Sequence, residues 1–218
     1  SDVQSLLPYK LFRADAAAWL SNYEEAIDAY RELNRLYPNS PEFAEPLISF
    51  TRSFGQHNQR FLEESATISH DLADAAPSVV GYRTRAGEIQ AELGDYNKAR
   101  GEWERLVQIA SGDEDTYLDT ATIYWDYFQY DDALRTLETL RRVMDDQTLY
   151  AFQAAVILED KHQPREALAE YINALSTSEY DDADVARARR RLVKLSRRPG
   201  GYEQIAAAFK RERSRNHN

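Results

Sequence analysis

The chain has 218 residues, room for one domain or two small ones at roughly 100–200 residues each. Its 27 Lys and Arg against 37 Asp and Glu leave a formal charge of −10, and 43% of the residues are hydrophobic, which excludes a disordered chain. Cysteine is absent, which excludes a disulfide framework, a thiolate zinc site and a cysteine nucleophile. No stretch approaches the roughly 18 consecutive apolar residues of a membrane span. The chain starts Ser1-Asp2-Val3 and ends Arg213-Ser214-Arg215-Asn216-His217-Asn218, and both ends are expected to be cuts, from processing or from a longer protein. The compartment does not follow from these features.

Ala, Leu, Glu, Arg and Gln dominate, and apolar residues recur at spacings of three and four, so the fold class is all-α. In chain order, the first unit reads Asn22-Tyr23-Glu24-Glu25-Ala26, then Tyr30 and Pro38, with Ala14 upstream. Ser21 and Glu24 are expected to form a capping box, and Ser40-Pro41 a helix cap plus first helical residue. A looser copy spans about 41–77. Its first helix is expected to carry Phe43, Leu47, Phe50 and Phe54, and its second Phe61, Ser65, Ile68 and Leu72. Pro46 there implies a late start or a kink. Gly94-Asp95-Tyr96-Asn97-Lys98-Ala99 then opens a helix running through Trp103 to Leu106. Gln129-Tyr130-Asp131-Asp132-Ala133 opens the next, and Gln163-Pro164-Arg165-Glu166-Ala167 the one after. The alanines 99, 133 and 167 are 34 residues apart, whereas Ala26 to Ala99 is 73, two repeats plus five. Each preceding helix has a small residue at its middle, Gly87, Ala121 and Ala155. All eight glycines and most of the seven prolines are expected between such helices or near their ends.

Three copies in register at one period mark a repeat architecture, and the pattern resembles the tetratricopeptide repeat family. The matching residues are Ala14, Tyr23, Ala26, Tyr30 and Pro38; Gly87, Tyr96, Ala99 and Trp103; Ala121, Tyr124, Tyr130, Ala133 and Leu137; and Ala155, Ala167, Tyr171 and Ala174. Gln90 and Leu158 replace the first-helix aromatic, and Pro164 the tyrosine that opens a second helix. The resemblance covers about residues 7–180. It implies a right-handed superhelix of antiparallel helical hairpins, with four recognisable units, one of them degenerate, and a weaker fifth as a cap. Residues 1–181 would form the array. Residues 182–218 would form a basic capping hairpin and polar tail, with Val185, Ala188, Leu192 and Leu195 buried on one helix and Tyr202, Ile205, Ala206 and Phe209 on the other.

The resemblance also implies that the first helices hold the ligand, around their small residues. Carried over, those positions are Leu11, Asp15, Ala18 and Trp19; Thr84, Glu88, Ala91 and Glu92; Leu118, Thr122, Trp125 and Asp126; and Phe152, Val156, Glu159 and Asp160. None is Lys or Arg, so the surface is expected to be acidic with aromatic islands at Trp19, Trp125 and Phe152. The expected partner-binding residues are Asp15, Trp19, Glu88, Glu92, Trp125, Asp126, Phe152, Glu159 and Asp160, and the expected partner is a basic or amphipathic protein segment. The bland reading of the same residues is a solvated face on an acidic protein.

The tail is different in charge. Residues 183–218 carry 11 bases and three acids, a net of +8, which leaves −18 for the rest. Arg187, Arg189, Arg190, Arg191, Lys194, Arg197 and Arg198 could meet phosphates, but the acidic remainder disfavours nucleic acid as a ligand. The histidines His57, His70, His162 and His217 have no metal-ligand spacing, and no phosphate-binding glycine loop occurs. Asp113-Glu114-Asp115 and Asp181-Asp182-Asp184 lack the pattern of a calcium loop and read as acids at helix starts. No catalytic, cofactor or metal site and no small-molecule substrate is therefore expected. The sequence points to a non-catalytic protein-binding scaffold. The alternative is a structural or substrate-recruiting module of a larger protein, with self-association between acidic body and basic tail left open.

Overall fold

The computed structural model describes residues 3–56, 58–110, 112–176 and 182–215; His57, Asp181 and His217, singled out above, lie outside them. Among the described residues there are twelve α-helices and no strand. They form two compact units, Ser1–Ile109 and Ala110–Asn218.

The first unit pairs α1 (Val3–Trp19) with α2 (Tyr23–Leu36), α3 (Pro41–Gly55) with α4 (Gln59–Ala75), and α5 (Val80–Glu92) with α6 (Tyr96–Ile109). The small residues set how closely the paired helices approach. Ala14 is fully buried, and a Cβ added to Gly87 would lie 2.1 Å from Nε1 of the fully buried Trp103. That indole nitrogen donates to the Thr84 carbonyl at 3.2 Å. The middle hairpin solves the same problem with the sizes exchanged. Counted back from its second helix, the position of Ala14 and Gly87 is taken by Phe50, and that of Tyr30 and Trp103 by the buried Ala66. The Phe50 ring then reaches Tyr23 and Tyr30 of the preceding hairpin, with centroids 5.9 and 6.0 Å away. The tightest approach moves to Gly55, where a Cβ would stand 2.7 Å from that of Leu62. This exchange is why the copy looks degenerate. α3 starts at Pro41 and runs through Pro46, so of the two expected outcomes, a late start or a kink, the late start does not occur.

A buried ionic cluster joins the last three helices of this unit. Arg83 is 4% exposed and donates to Glu102 and Asp74 at 2.6 Å each, and Glu102 also meets His70 Nδ1 at 2.5 Å. A buried guanidinium needs such partners, because desolvation without them is strongly unfavourable.

The second unit pairs α7 (Glu114–Asp126) with α8 (Tyr130–Val143), α9 (Ala151–Asp160) with α10 (Pro164–Ser176), and α11 (Asp182–Ser196) with α12 (Gly201–Arg215). Ala121 and Ala155 are buried at the close approach, facing the positions of Leu137 and Tyr171. Asp113 is the expected helix-start acid, accepting from the Thr116 amide at 3.1 Å. The described residues thus form six hairpins, three in each unit and one more in all than expected, because the degenerate copy adds to the four matched ones. The buried face of α12 also differs from the expected one. Gly201 and Ala208 are buried, whereas Tyr202 is 70% exposed and Ala206 and Phe209 point outward. A Cβ on Gly201 would lie 2.1 Å from the Leu195 carbonyl oxygen, so only the small-residue face admits the tight turn from α11.

Four of the hairpins close through one loop geometry. Residues 20–22, 93–95, 127–129 and 161–163 each place their middle residue in the left-handed region: Ser21, Gly94, Phe128 and His162, with φ between 60° and 78°. The amides of each middle and last loop residue return to carbonyls three and five residues back, as Ser21 to Ala18 and Asn22 to Ala17, or His162 to Glu159 and Gln163 to Leu158. This is the paired C-cap that satisfies the orphan carbonyls of a helix end. It overturns the expected capping box: Ser21 ends α1 rather than starting α2, whose N-cap is Asn22, with its side chain donating to Glu25. The glycine expectation also fails at Gly87 and Gly101, which sit inside helices, as do Pro8 and Pro46.

The two mid-helix glycines predict opposite outcomes. Gly87→Ala gains about 1 kcal/mol of helix propensity but overpacks against Trp103 by about 1–3 kcal/mol, so denaturant unfolding should show a net loss. Gly101→Ala meets nothing within 4 Å and should gain about 0.5–1 kcal/mol in the same measurement.

Candidate functional site

In the second unit, all four expected ligand positions of α9, Phe152, Val156, Glu159 and Asp160, line a single cleft of about 770 Å³. They share it because residues 152, 156, 159 and 160 recur at helical spacing on one side of α9. The opposite wall is α11, which contributes Arg187, Arg190, Arg191 and Lys194, with Arg198 just beyond its end. Trp125 on α7 stands beside the rim and donates its indole N–H to Asp160 at 2.8 Å. Phe152 packs on Tyr171, ring centroids 5.9 Å apart, and carries the Arg187 guanidinium over its face at 5.8 Å.

Glu159 is the most engaged of the expected acids. Arg191 donates to both its oxygens at 2.7 Å, and the Tyr171 hydroxyl donates to Oε2 at 2.7 Å. Burial alone would push this carboxyl up. The Arg191 guanidinium and the Tyr171 hydroxyl together outweigh that effect and hold it below its ordinary value. Burial, reinforced by the same carboxylate, pushes the Tyr171 phenol well above its usual range.

In the first unit, the expected residues are more dispersed. Asp15 accepts from the Tyr30 hydroxyl. Glu88 and Glu92 on α5 are both held by Arg52 on α3, at 3.1 and 2.5 Å. Trp19 is 86% exposed at the end of α1. It continues a stripe through Tyr9, Phe12 and Ala16, spaced by three, four and three residues, with Phe12 69% exposed.

The family model for the tetratricopeptide repeat matches residues 13–40, the first hairpin from just before Ala14 to Ser40. The chain is thus similar to the tetratricopeptide repeat over its first hairpin. None of the curated proteins matches it. Among solved structures, it is similar to the MamA protein, at 14% identity and a TM-score of 0.47, covering 78% of this chain and 90% of that one. It is also similar to a tetratricopeptide repeat protein from Parabacteroides merdae, at 16% identity and a TM-score of 0.45, covering 94% and 77%. A third is YrrB, described as a TPR protein with an unusual peptide-binding site, at 12% identity and a TM-score of 0.45, covering 86% and 97%.

The repeat pattern locates Phe152, Glu159 and Asp160 in one cleft with Trp125 beside it, and leaves Asp126 exposed with no partner among the described residues. What it omits is the neutralising cations. Arg52 belongs to the degenerate copy and Arg191 to the capping hairpin, the two segments to which no ligand positions were assigned. Sequence reasoning also omits Tyr9 and Phe12, although their spacing to Trp19 was available. The two histidines among the described residues have structural places here: His70 in the ionic cluster, and His162 as the left-handed residue of a loop at the cleft.

Because Glu159 has a depressed value in the folded protein, its contribution to stability is complete above the ordinary carboxylate range. It is lost as pH falls through the depressed value. Arg191→Gln should raise the Glu159 titration, read by carbon-detected NMR of side-chain carboxyls. An unchanged titration would show that Arg191 is not the partner that matters.

Proposed function

We propose that this chain is a non-catalytic scaffold that holds a segment of a partner protein against the first helices of its hairpins. The fold supports protein interaction in general. The observation that carries the particular reading is that the four ligand positions of α9 line one cleft with an aromatic floor. Repeat arrays use surfaces of this kind because stacked hairpins hold side chains from successive helices in fixed relation. A rigid surface loses little entropy on binding, so modest contacts yield useful affinity.

Phe152 and Trp125 are the proposed anchors in the second unit, and Trp19 separately in the first, since aromatic side chains dominate binding energy where they are desolvated. Asp15, Glu88, Glu92, Asp126, Glu159 and Asp160 are the proposed polar contacts around them. Arg52 and Arg191 already neutralise three of these acids, which favours an amphipathic segment over a strongly basic one. The exposed stripe on α1 suits the apolar side of such a segment.

Peptides selected from a displayed random library against the full chain would test this reading. Peptides held by the second unit should weaken by about tenfold or more on Phe152→Ala with the helical circular dichroism retained, and peptides held by the first on Trp19→Ala at unchanged thermal midpoint, as binding hot spots do. Equal affinity for both variants and the wild type would remove the first helices from the binding surface.

A further inference from the structure

We infer that the α9–α11 cleft selects an acidic segment of a partner protein, one in which carboxylates flank an apolar side chain. This rests on the scaffold reading and names the partner chemistry of one part of its surface.

The charge of the cleft is the starting point. Five cationic side chains line it, from Arg187 to Arg198, against two carboxylates, Glu159 and Asp160. With histidine left out of the count, as in the formal charge of −10 for the whole chain, the lining carries +3. Four of the cations form one row, since residues 187, 190, 191 and 194 are spaced by three, one and three and so share a face of α11, and Arg198 follows just beyond its end.

Their partners divide them by role. Arg191 is consumed by Glu159, and Arg187 pairs with Asp184 at 3.2 Å while covering Phe152. Arg190 and Lys194 are exposed and have no hydrogen-bond or ion-pair partner among the described residues. Two unpaired cations on a rim, over an apolar floor of Phe152 and Val156, match carboxylates that flank an apolar side chain. Such complementarity works by steering and by excluding wrong partners. A protein segment fits better than nucleic acid. The two lining carboxylates oppose a dense run of phosphates, and the Phe152 and Tyr171 rings pack on each other instead of standing in an open row for stacked bases.

Three short labelled peptides of equal length separate these cases. One carries Glu around a central Leu, one Gln in place of Glu, and one Lys in place of Glu. Fluorescence anisotropy with the full chain should rank the Glu peptide about tenfold or more above the Gln peptide at low salt, with the Lys peptide weakest. Rising salt should narrow the difference, because exposed charges are screened. The double variant Arg190→Glu, Lys194→Glu should abolish the preference. Both residues are exposed, so circular dichroism and the thermal midpoint should stay unchanged. Equal binding of the Glu and Gln peptides would overturn the acidic selection and leave the scaffold reading standing, provided Phe152→Ala weakens both. Tighter binding of single-stranded DNA through Arg190 and Lys194 would overturn it in favour of a phosphate ligand. Failure of all three peptides and of the library selection would overturn both readings.

Discussion

The structure depends on how closely two antiparallel helices can approach at the middle of each hairpin. At Ala14, Gly87, Ala121 and Ala155 the first helix offers almost no side chain, and the second helix fills the space with Tyr30, Trp103, Leu137 or Tyr171. Close packing of this kind loses contacts quickly when a gap opens and strains quickly when an atom is added. The pairing therefore sets the axial register of the two helices, and the register in turn decides which residues of the first helix remain outside. Val156, Glu159 and Asp160 can line a cleft because Ala155, beside them on the same helix, is turned inward against Tyr171.

Much of this was legible in the chain. A period of 34 residues between Ala99, Ala133 and Ala167 is enough to place hairpins, because only a stacked array needs the same small and large residues at one spacing. Hairpin existence was therefore readable even where the sizes were exchanged at Phe50 and Ala66. Loop chemistry was less so. Ser21 looks like a cap from its neighbours alone, yet the αL conformation that closes α1 claims it first. Phe128 and His162 take the same conformation although L side chains disfavour it by roughly 1–2 kcal/mol, and composition gives no hint of that. The face of α12 was misread for a related reason. Two apolar stripes one residue apart are equally periodic, and the approach of Gly201 to Leu195 chooses between them.

Charge was the least legible property of the candidate site. Ligand positions taken from the repeat pattern are acidic or neutral, whereas the surfaces they join include cations from helices outside the pattern. Arg52 crosses from one hairpin to the next to reach Glu88 and Glu92, and Arg191 does the same to reach Glu159. Pairing between hairpins depends on three-dimensional neighbours, and a one-dimensional repeat reports only equivalent positions. Net charge along the chain was a better guide, since the +8 of the last 36 residues is what reverses the sign of the cleft.

The two kinds of joint in these units should drift differently as such chains diverge. The turns at 20–22, 93–95, 127–129 and 161–163 share one length and one pattern of hydrogen bonds, and adding a residue to any of them would break the bonds that fix where the following helix begins. The packing between the two helices would then have to be found anew. The connectors that lead onward to the next hairpin already differ, from four residues at 37–40 to seven at 144–150. New sequence can therefore enter this architecture at the second kind of joint while the first stays closed to it.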